Sequence, residues 1–112
     1  PPEYCTVPGL PAFTVSSIES WYDGPREFLA VGEDGSTWCC VWWDTITEPK
    51  QPPLVNGFSA WTRYAEQWAY LRVAGDVVAE VHGGKRPWRD LYTCATARYR
   101  VEIVCGGRGA SR

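Results

Sequence analysis

A single histidine and the charged residues near it are the first candidates for acid–base chemistry. His82 is the only histidine of the 112 residues, and Glu80 lies two positions before it. On a strand these two side chains share one face, and Arg98, Arg100 and Glu102 share a face in the same way. A carboxylate, an imidazole and a guanidinium on one sheet surface would supply the base, the acid and the phosphate clamp of a ribonuclease-like enzyme. The same spacing fits a solvated face of cross-strand charge pairs, so we assign no catalytic residue.

The second set of candidates lies in a loop over residues 83–90 that combines glycine, proline, arginine and tryptophan. Tryptophan and arginine dominate the energetics of protein interfaces, so this loop is the predicted contact with a protein partner. Trp21, near an Asp-Gly-Pro turn, is predicted to contact the same protein partner. The predicted binding residues are Lys85, Arg86, Trp88, Arg89 and Trp21.

The remaining tryptophans recur at positions typical of a core, where a small domain fills its interior with a few large side chains. They are Trp38, Trp42, Trp43, Trp61 and Trp68. The functional alternative is an aromatic platform that stacks on sugar rings, which would make the protein a carbohydrate-binding module or lectin.

The five cysteines predict a disulfide framework and an oxidising compartment, because no CxxC pair or zinc-ligand spacing is present. The protein is therefore predicted to be secreted. The cysteines are Cys5, Cys39, Cys40, Cys94 and Cys105. At most four of these five can pair within the chain. The fifth is then either a free thiol or the bridge of a disulfide-linked dimer. Adjacent side chains on a strand point to opposite faces, so Cys39 and Cys40 could tie one strand to two layers.

The stretch over residues 36–47 has large side chains on both faces, which predicts a strand in the middle of a sheet. With the strand before it and a Gly-Glu-Asp-Gly connection, it forms a predicted β-hairpin over residues 26–47. A short strand is predicted over residues 12–18. An exposed loop is predicted over residues 48–53, because its prolines have no amide hydrogen to donate to a neighbouring strand.

The second half of the chain contains the one predicted helix, near residues 59–70, where apolar residues recur at three and four. A rival interpretation places a strand over residues 69–73 that pairs with residues 77–81. Strands are also predicted over residues 76–82, 91–96 and 98–105, the last with Tyr99, Val101, Ile103 and Cys105 facing inward.

These elements predict an α+β fold that is mainly antiparallel β, with five to seven strands, one helix near 59–70 and disulfide staples. The single domain spans residues 1–105, and residues 106–112 form a flexible tail. The segment Tyr92-Thr93-Cys94 resembles the tyrosine and cysteine of immunoglobulin-like domains, with Cys5 and Trp21 as the other partners. That resemblance implies the alternative, an all-β sandwich.

Composition excludes several classes of function. The net charge is −2, with eight acidic and two basic residues in positions 1–56 and nine basic and five acidic residues in positions 57–112. A nucleic-acid partner is not expected, since it would need a strongly basic domain. No apolar run is long enough for a membrane span, and no glycine-rich phosphate loop or metal motif predicts a cofactor or metal.

The leading functional hypothesis is a secreted, disulfide-stabilised, non-catalytic binding protein of the inhibitor, toxin or effector type. Its expected partner is an extracellular protein. The carbohydrate-binding module and the small secreted ribonuclease-like enzyme are the two alternatives.

Overall fold

One antiparallel sheet organises the protein. The computed structural model describes residues 2–22, 24–47 and 63–106. The strands are β1 (Phe13–Trp21), β2 (Pro25–Gly32), β3 (Thr37–Thr47), β4 (Arg63–Val73) and β5 (Ala97–Gly106). They lie in the order β1-β2-β3-β4-β5, so each strand pairs with its neighbours in the sequence. The helices in the described residues are α1 (Pro2–Cys5), α2 (Gly75–His82) and α3 (Asp90–Thr93). The prediction of a mainly antiparallel β fold is confirmed.

Strands β2 and β3 form the hairpin that the sequence predicts over residues 26–47. At the turn, the amide of Gly32 donates to the carbonyl of Ser36 at 2.8 Å. Gly35 has a φ of 86°, a left-handed conformation that glycine adopts at no steric cost. β3 is the third of the five strands, which is the central position expected from its two apolar faces.

The first face of the sheet carries a cluster that we call the aromatic core. Its buried members are Tyr4, Phe13, Phe28, Ala30, Trp38, Cys40, Trp68, Tyr70, Val101 and Ile103. Helix α1 covers this face: the Tyr4 and Trp68 rings meet edge to face at 5.1 Å, and the Tyr70 hydroxyl donates to the Tyr4 carbonyl at 2.8 Å. Edge-to-face contacts between large rings stabilise such a core beyond the area that they bury.

The opposite face carries the aliphatic core. Its buried members are Leu29, Cys39, Leu71, Val73, Val77, Val81 and Leu91. Helices α2 and α3 supply the last three of these and cover this face. Cys39 and Cys40 are fully buried in different cores, so the prediction that they point to opposite faces is confirmed.

The predicted helix near residues 59–70 is wrong where it can be compared, because residues 63–73 form strand β4. Residues 59–62, with Trp61, lie outside the described residues. β4 is buried on both faces, so apolar residues occur at both parities and imitate a three-and-four spacing. Glu66 also contributes to the wrong helix prediction. A charged residue is expected to face solvent, but Glu66 is only 5% exposed.

Two predicted strands are helices in the structure. Residues 76–82 form most of α2. Val77 and Val81 fit the alternation of a strand, but they also lie four residues apart, so a helix buries both on one face. Leu91 and Tyr92 lie in α3, so the strand over residues 91–96 is also wrong. The immunoglobulin-like alternative fails with it, because the described strands form one sheet and the Tyr-Thr-Cys segment is not a strand.

The last predicted strand is confirmed as β5, but Tyr99, which was expected to face inward, is 41% exposed. Val101 and Ile103 are buried on one side, and Arg98, Arg100 and Glu102 are exposed on the other. Beyond Gly106 the predicted tail lies outside the described residues. Among the helices of the described residues, none is long and apolar enough to cross a membrane.

The predicted disulfide stapling is not confirmed. Cys5, Cys39, Cys40 and Cys94 are free thiols, and the side chain of Cys105 is outside the described residues. Burial raises the pKa of the Cys39 and Cys40 thiols, with neighbouring charged groups as secondary causes. These two thiols are therefore poor nucleophiles in the reduced native protein.

Candidate binding groove

Two predicted binding residues of the loop over residues 83–90, Arg86 and Trp88, make contacts within the protein. Arg86 pairs with Glu80, Nε to Oε1 at 2.5 Å, and with Asp90, Nη1 to Oδ2 at 3.4 Å. The hydrogen bond to Glu80 raises the pKa of the Arg86 guanidinium. Trp88 is half-buried, and its indole Nε1 donates to Glu27 at 2.8 Å. A binding role for this loop stays a prediction, with Lys85 and Arg89 as its exposed cations.

Glu27 is the centre of the contacts that hold α3 and its preceding loop on the sheet. Its Oε2 accepts hydrogen bonds from Trp88 Nε1, from the Tyr92 hydroxyl at 2.6 Å and from Cys39 Sγ at 3.7 Å. Burial, followed by the Glu27 carboxylate, raises the pKa of the Tyr92 hydroxyl. Since the donors come from β3, from α3 and from the loop before α3, this carboxylate fastens that loop and helix to the sheet.

The acid–base set considered in the sequence is not brought together. Glu80 and His82 lie on helix α2, and His82 Nε2 lies 3.7 Å from Glu19 Oε2 on strand β1. Arg98 and Arg100 lie on β5, at the other edge of the sheet. Four interstrand spacings separate the two edges, about 19 Å. The imidazole and the guanidinium groups therefore do not share a site.

Trp21 lies at the end of β1, 65% exposed, and the neighbouring Tyr22 is 75% exposed. Trp21 therefore lies at the surface, and its role in binding stays a prediction.

A groove on the aliphatic face, beyond the cover of α2 and α3, brings together residues that the sequence treats separately. It encloses about 450 Å³ and is lined by Trp43, Ala69, Leu71, Arg98, Tyr99 and Arg100. Ala69 and Leu71 of β4 pair with Arg100 and Arg98 of β5, so an apolar floor lies beside two guanidinium groups. We call this surface the Arg–Trp groove.

A register shift in β3 places the tryptophan of this groove. Trp42 pairs with Trp68 and Asp44 pairs with the next residue of β4, Gln67, so Trp43 is an extra residue on β3. Such a bulge bends the strand and redirects one side chain. Trp43 is 49% exposed.

The two arginines of the Arg–Trp groove are held by contacts that leave their charge unneutralised. The Arg100 Cζ lies 5.4 Å from the centroid of the Trp43 ring, within range of a cation–π interaction. Arg98 Nη2 donates to the Tyr92 carbonyl at 2.9 Å. No carboxylate lines this groove among the described residues, and the nearest acid along β5, Glu102, accepts a hydrogen bond from the Gln67 amide. The groove can therefore bind a carboxylate or a phosphate next to an aromatic surface.

Sequence reasoning missed the Arg–Trp groove for two physical reasons. Strict alternation assigns Trp43 to the core, and no residue type in β3 signals the bulge or the half-exposed position of this side chain. The sequence shows that Arg98 and Arg100 share one face of a strand, but the residues beside them depend on the strand order, which the sequence does not provide.

A second charged cluster lies in the aromatic core and fastens the first residues of the chain. The Glu66 carboxylate accepts from the Tyr4 hydroxyl at 2.9 Å, from Trp68 Nε1 at 3.0 Å and from Arg26 Nη1 at 3.0 Å. The Arg26 guanidinium also stacks 4.8 Å above the Trp42 ring. These groups satisfy one another and face the protein interior, so the cluster is structural.

No protein-family model, curated protein or solved structure matches this chain. In the described residues no group of three or more His, Cys, Asp or Glu is placed to hold a metal ion. Any functional conclusion therefore depends on the chemistry of the surfaces themselves.

Proposed function

We propose that this protein is a secreted, non-catalytic binding protein whose Arg–Trp groove engages an acidic segment of an extracellular protein partner. One observation carries this proposal: Arg98 and Arg100 flank an apolar floor beside the half-exposed Trp43, and no described carboxylate lines the groove. Tryptophan and arginine in a concave site are the residue types that contribute most to protein association.

The size and charge of the groove favour a protein segment over a nucleic acid. A volume of about 450 Å³ accommodates one or two side chains rather than a tracked polymer backbone. A net charge of −2 differs from the strongly basic balance that is typical of a nucleic-acid-binding domain. A guanidinium group forms bidentate pairs with a carboxylate, which suits aspartate or glutamate in the partner.

Disulfide formation belongs to the same proposal. Cys5 contacts the aromatic core that contains Cys40, and Cys94 contacts the aliphatic core that contains Cys39. Oxidation of either pair would tie one covering layer to β3, as expected for an inhibitor, toxin or effector outside the cell. The exposed Lys85, Arg89 and Trp21 are further candidate contacts of such a partner.

The groove proposal is tested by titration of a short glutamate-rich peptide, read by tryptophan fluorescence and by calorimetry. Arg98→Ala with Arg100→Ala should abolish binding, whereas the matched pair Lys85→Ala with Arg89→Ala should leave groove binding unchanged. Binding should also weaken as salt is added, because exposed ion pairs are screened. Equal affinity of wild type and the groove double variant would contradict the proposal.

The carbohydrate-binding alternative has one observation in its favour, the half-exposed Trp43 ring at the wall of a concave site. A sugar ring stacked on this indole would lose affinity in Trp43→Ala and keep most of it in Arg98→Ala. A glycan array separates the two proposals, because a carbohydrate module binds at least one glycan and the acidic-segment binder binds none.

The ribonuclease-like alternative has less support, because His82 lies beside Glu19 and far from the arginines of β5. It would require RNA cleavage that is lost in His82→Ala.

A further inference from the structure

The Arg–Trp groove combines an apolar floor with two cations, and a ligand that fills it has to match both. Ala69 and the buried Leu71 form the floor, Trp43 adds an aromatic ring, and Arg98 and Arg100 supply the charge. We propose that the residue which the groove binds in the acidic segment of its partner is a tyrosine that carries a sulfate ester. This inference rests on the proposed function and names the chemistry of the bound residue.

The apolar part of the groove is larger than an acidic side chain can cover. The groove encloses about 450 Å³, whereas aspartate and glutamate have only one or two methylene groups to place on its floor. An aromatic side chain buries about 150–250 Å² and packs well against a second ring. A tyrosine ring in the groove would therefore contact Leu71 and Trp43, and most of the floor would be removed from water.

Ala69 gives the groove the depth that a ring needs. It is the smallest of the lining side chains, and it pairs across the strands with Arg100. The next pair on the same face joins Leu71 to Arg98, so the floor runs alongside both arginines. A ring on this floor has an arginine beside it at each of the two pairs.

The two arginines favour an oxyanion with three terminal oxygens over a carboxylate. Arg98 and Arg100 lie two residues apart on one strand face, so their Cα atoms are about 7 Å apart. A single guanidinium fork already pairs with both oxygens of a carboxylate. A sulfate ester has three terminal oxygens, so two guanidinium groups can share it. Arginine clusters recognise esterified phosphate through the same geometry.

The contacts that hold the two guanidinium groups leave donors for such an anion. The Arg100 Cζ lies 5.4 Å from the centroid of the Trp43 ring, a cation–π contact that requires no hydrogen bond. Arg98 donates through Nη2 to the Tyr92 carbonyl at 2.9 Å, which uses one of the five N–H donors of its side chain. Both side chains are therefore positioned before a ligand binds, and positioning of this kind lowers the entropic cost of binding.

Sulfate is the ester that fits a partner outside the cell. Tyrosine is sulfated in the secretory pathway, so the ester occurs on secreted and cell-surface chains, where the proposed function places the partner. Tyrosine phosphate has the same ring and a similar tetrahedral oxyanion, and it therefore provides a chemical probe of the same site.

Calorimetry with four short peptides tests the proposal on the full chain. The peptides share one neutral sequence and differ at a single position, which holds tyrosine, tyrosine sulfate, tyrosine phosphate or glutamate. The sulfated peptide should bind at least about tenfold more tightly than the tyrosine or the single-glutamate peptide, because it combines the ring with the oxyanion. The phosphorylated peptide should also bind more tightly than these two.

Two variants test the floor and the arginine forks separately. Ala69→Leu fills the floor and should weaken binding of the sulfated peptide at least about tenfold. The matched control, Ala79→Leu at an exposed position of α2, should leave this affinity unchanged. Arg98→Lys with Arg100→Lys keeps both charges but removes the planar forks, so it should also weaken binding. Circular dichroism verifies that each variant retains the fold, and the lysine variant tests the site even if Ala69→Leu does not fold.

The outcomes separate this inference from the proposed function. If the glutamate-rich peptide binds through Arg98 and Arg100 but the sulfated peptide binds no more tightly than the single-glutamate peptide, the proposed function stands and the sulfotyrosine inference is wrong. If neither the glutamate-rich peptide nor the sulfated peptide binds, both are wrong. Binding of the phosphorylated but not the sulfated peptide would overturn the inference, as would full affinity for the sulfated peptide in the lysine variant.

Discussion

Replacing Glu66 by glutamine is the sharpest perturbation of the folded state that the structure offers. Glu66 is 5% exposed and accepts hydrogen bonds from Tyr4, Trp68 and Arg26. Glutamine has the same shape and can keep an acceptor toward the first two donors. The amide nitrogen of the glutamine would then face the Arg26 guanidinium, and both groups are hydrogen-bond donors. The variant therefore leaves the mostly buried Arg26 cation without its counterion.

The expected cost follows from the burial of both partners. Removing one member of a buried ion pair costs about 3–5 kcal/mol. Arg26 has a side chain that is 16% exposed, and it keeps its hydrogen bond to the Tyr22 carbonyl and its stacking on Trp42. We therefore expect the low end, about 3 kcal/mol, which for a chain of this size lowers Tm by about 10 °C.

Urea denaturation of the reduced protein, followed by tryptophan fluorescence, measures this cost. The matched control is Glu102→Gln, an exposed glutamate with one hydrogen bond to the Gln67 amide, for which we expect less than about 0.5 kcal/mol. If Glu66→Gln and the control lose the same free energy of unfolding, the cluster does not stabilise the fold and the reasoning fails.

Two further predictions concern titratable groups. In the reduced native protein, iodoacetamide should modify Cys5 and Cys94 well before Cys39 and Cys40, because burial raises the pKa of the last two; equal rates by mass spectrometry would contradict this. The raised pKa of Tyr92 stabilises the fold below about pH 10 and loses this contribution as pH rises further. Tyr92→Phe should therefore lower the free energy of unfolding near neutral pH by about 1–3 kcal/mol, through the lost hydrogen bond to a carboxylate, and show a smaller decline at alkaline pH. A pH profile of urea midpoints parallel to that of wild type would refute the assignment.

The parts of the fold that the sequence predicts correctly are those fixed by local chemistry. The Gly35 turn and the flanking alternation define the hairpin of β2 and β3. The adjacent Cys39 and Cys40 require two covered faces, which the structure provides as two cores. The final strand is equally clear, because its charged and apolar residues alternate without interruption.

The errors occur where tertiary burial overrides a local pattern. β4 has apolar residues on both faces and a buried charged residue, Glu66. Together these two features give the sequence the pattern of an amphipathic helix. In α2, Val77 and Val81 satisfy the period of a strand and of a helix equally well. For the site, the sequence places Arg98 and Arg100 on one face of a strand, but the bulge at Trp43, which lines the groove, has no signature in the sequence.

Nuclear magnetic resonance can show whether the Arg–Trp groove is the surface that binds the partner. In a titration with the glutamate-rich peptide, the indole resonance of Trp43 and the guanidinium resonances of Arg98 and Arg100 should shift together and saturate. Shifts confined to the loop over residues 83–90 and to Trp21, or no shifts at all, would contradict the account.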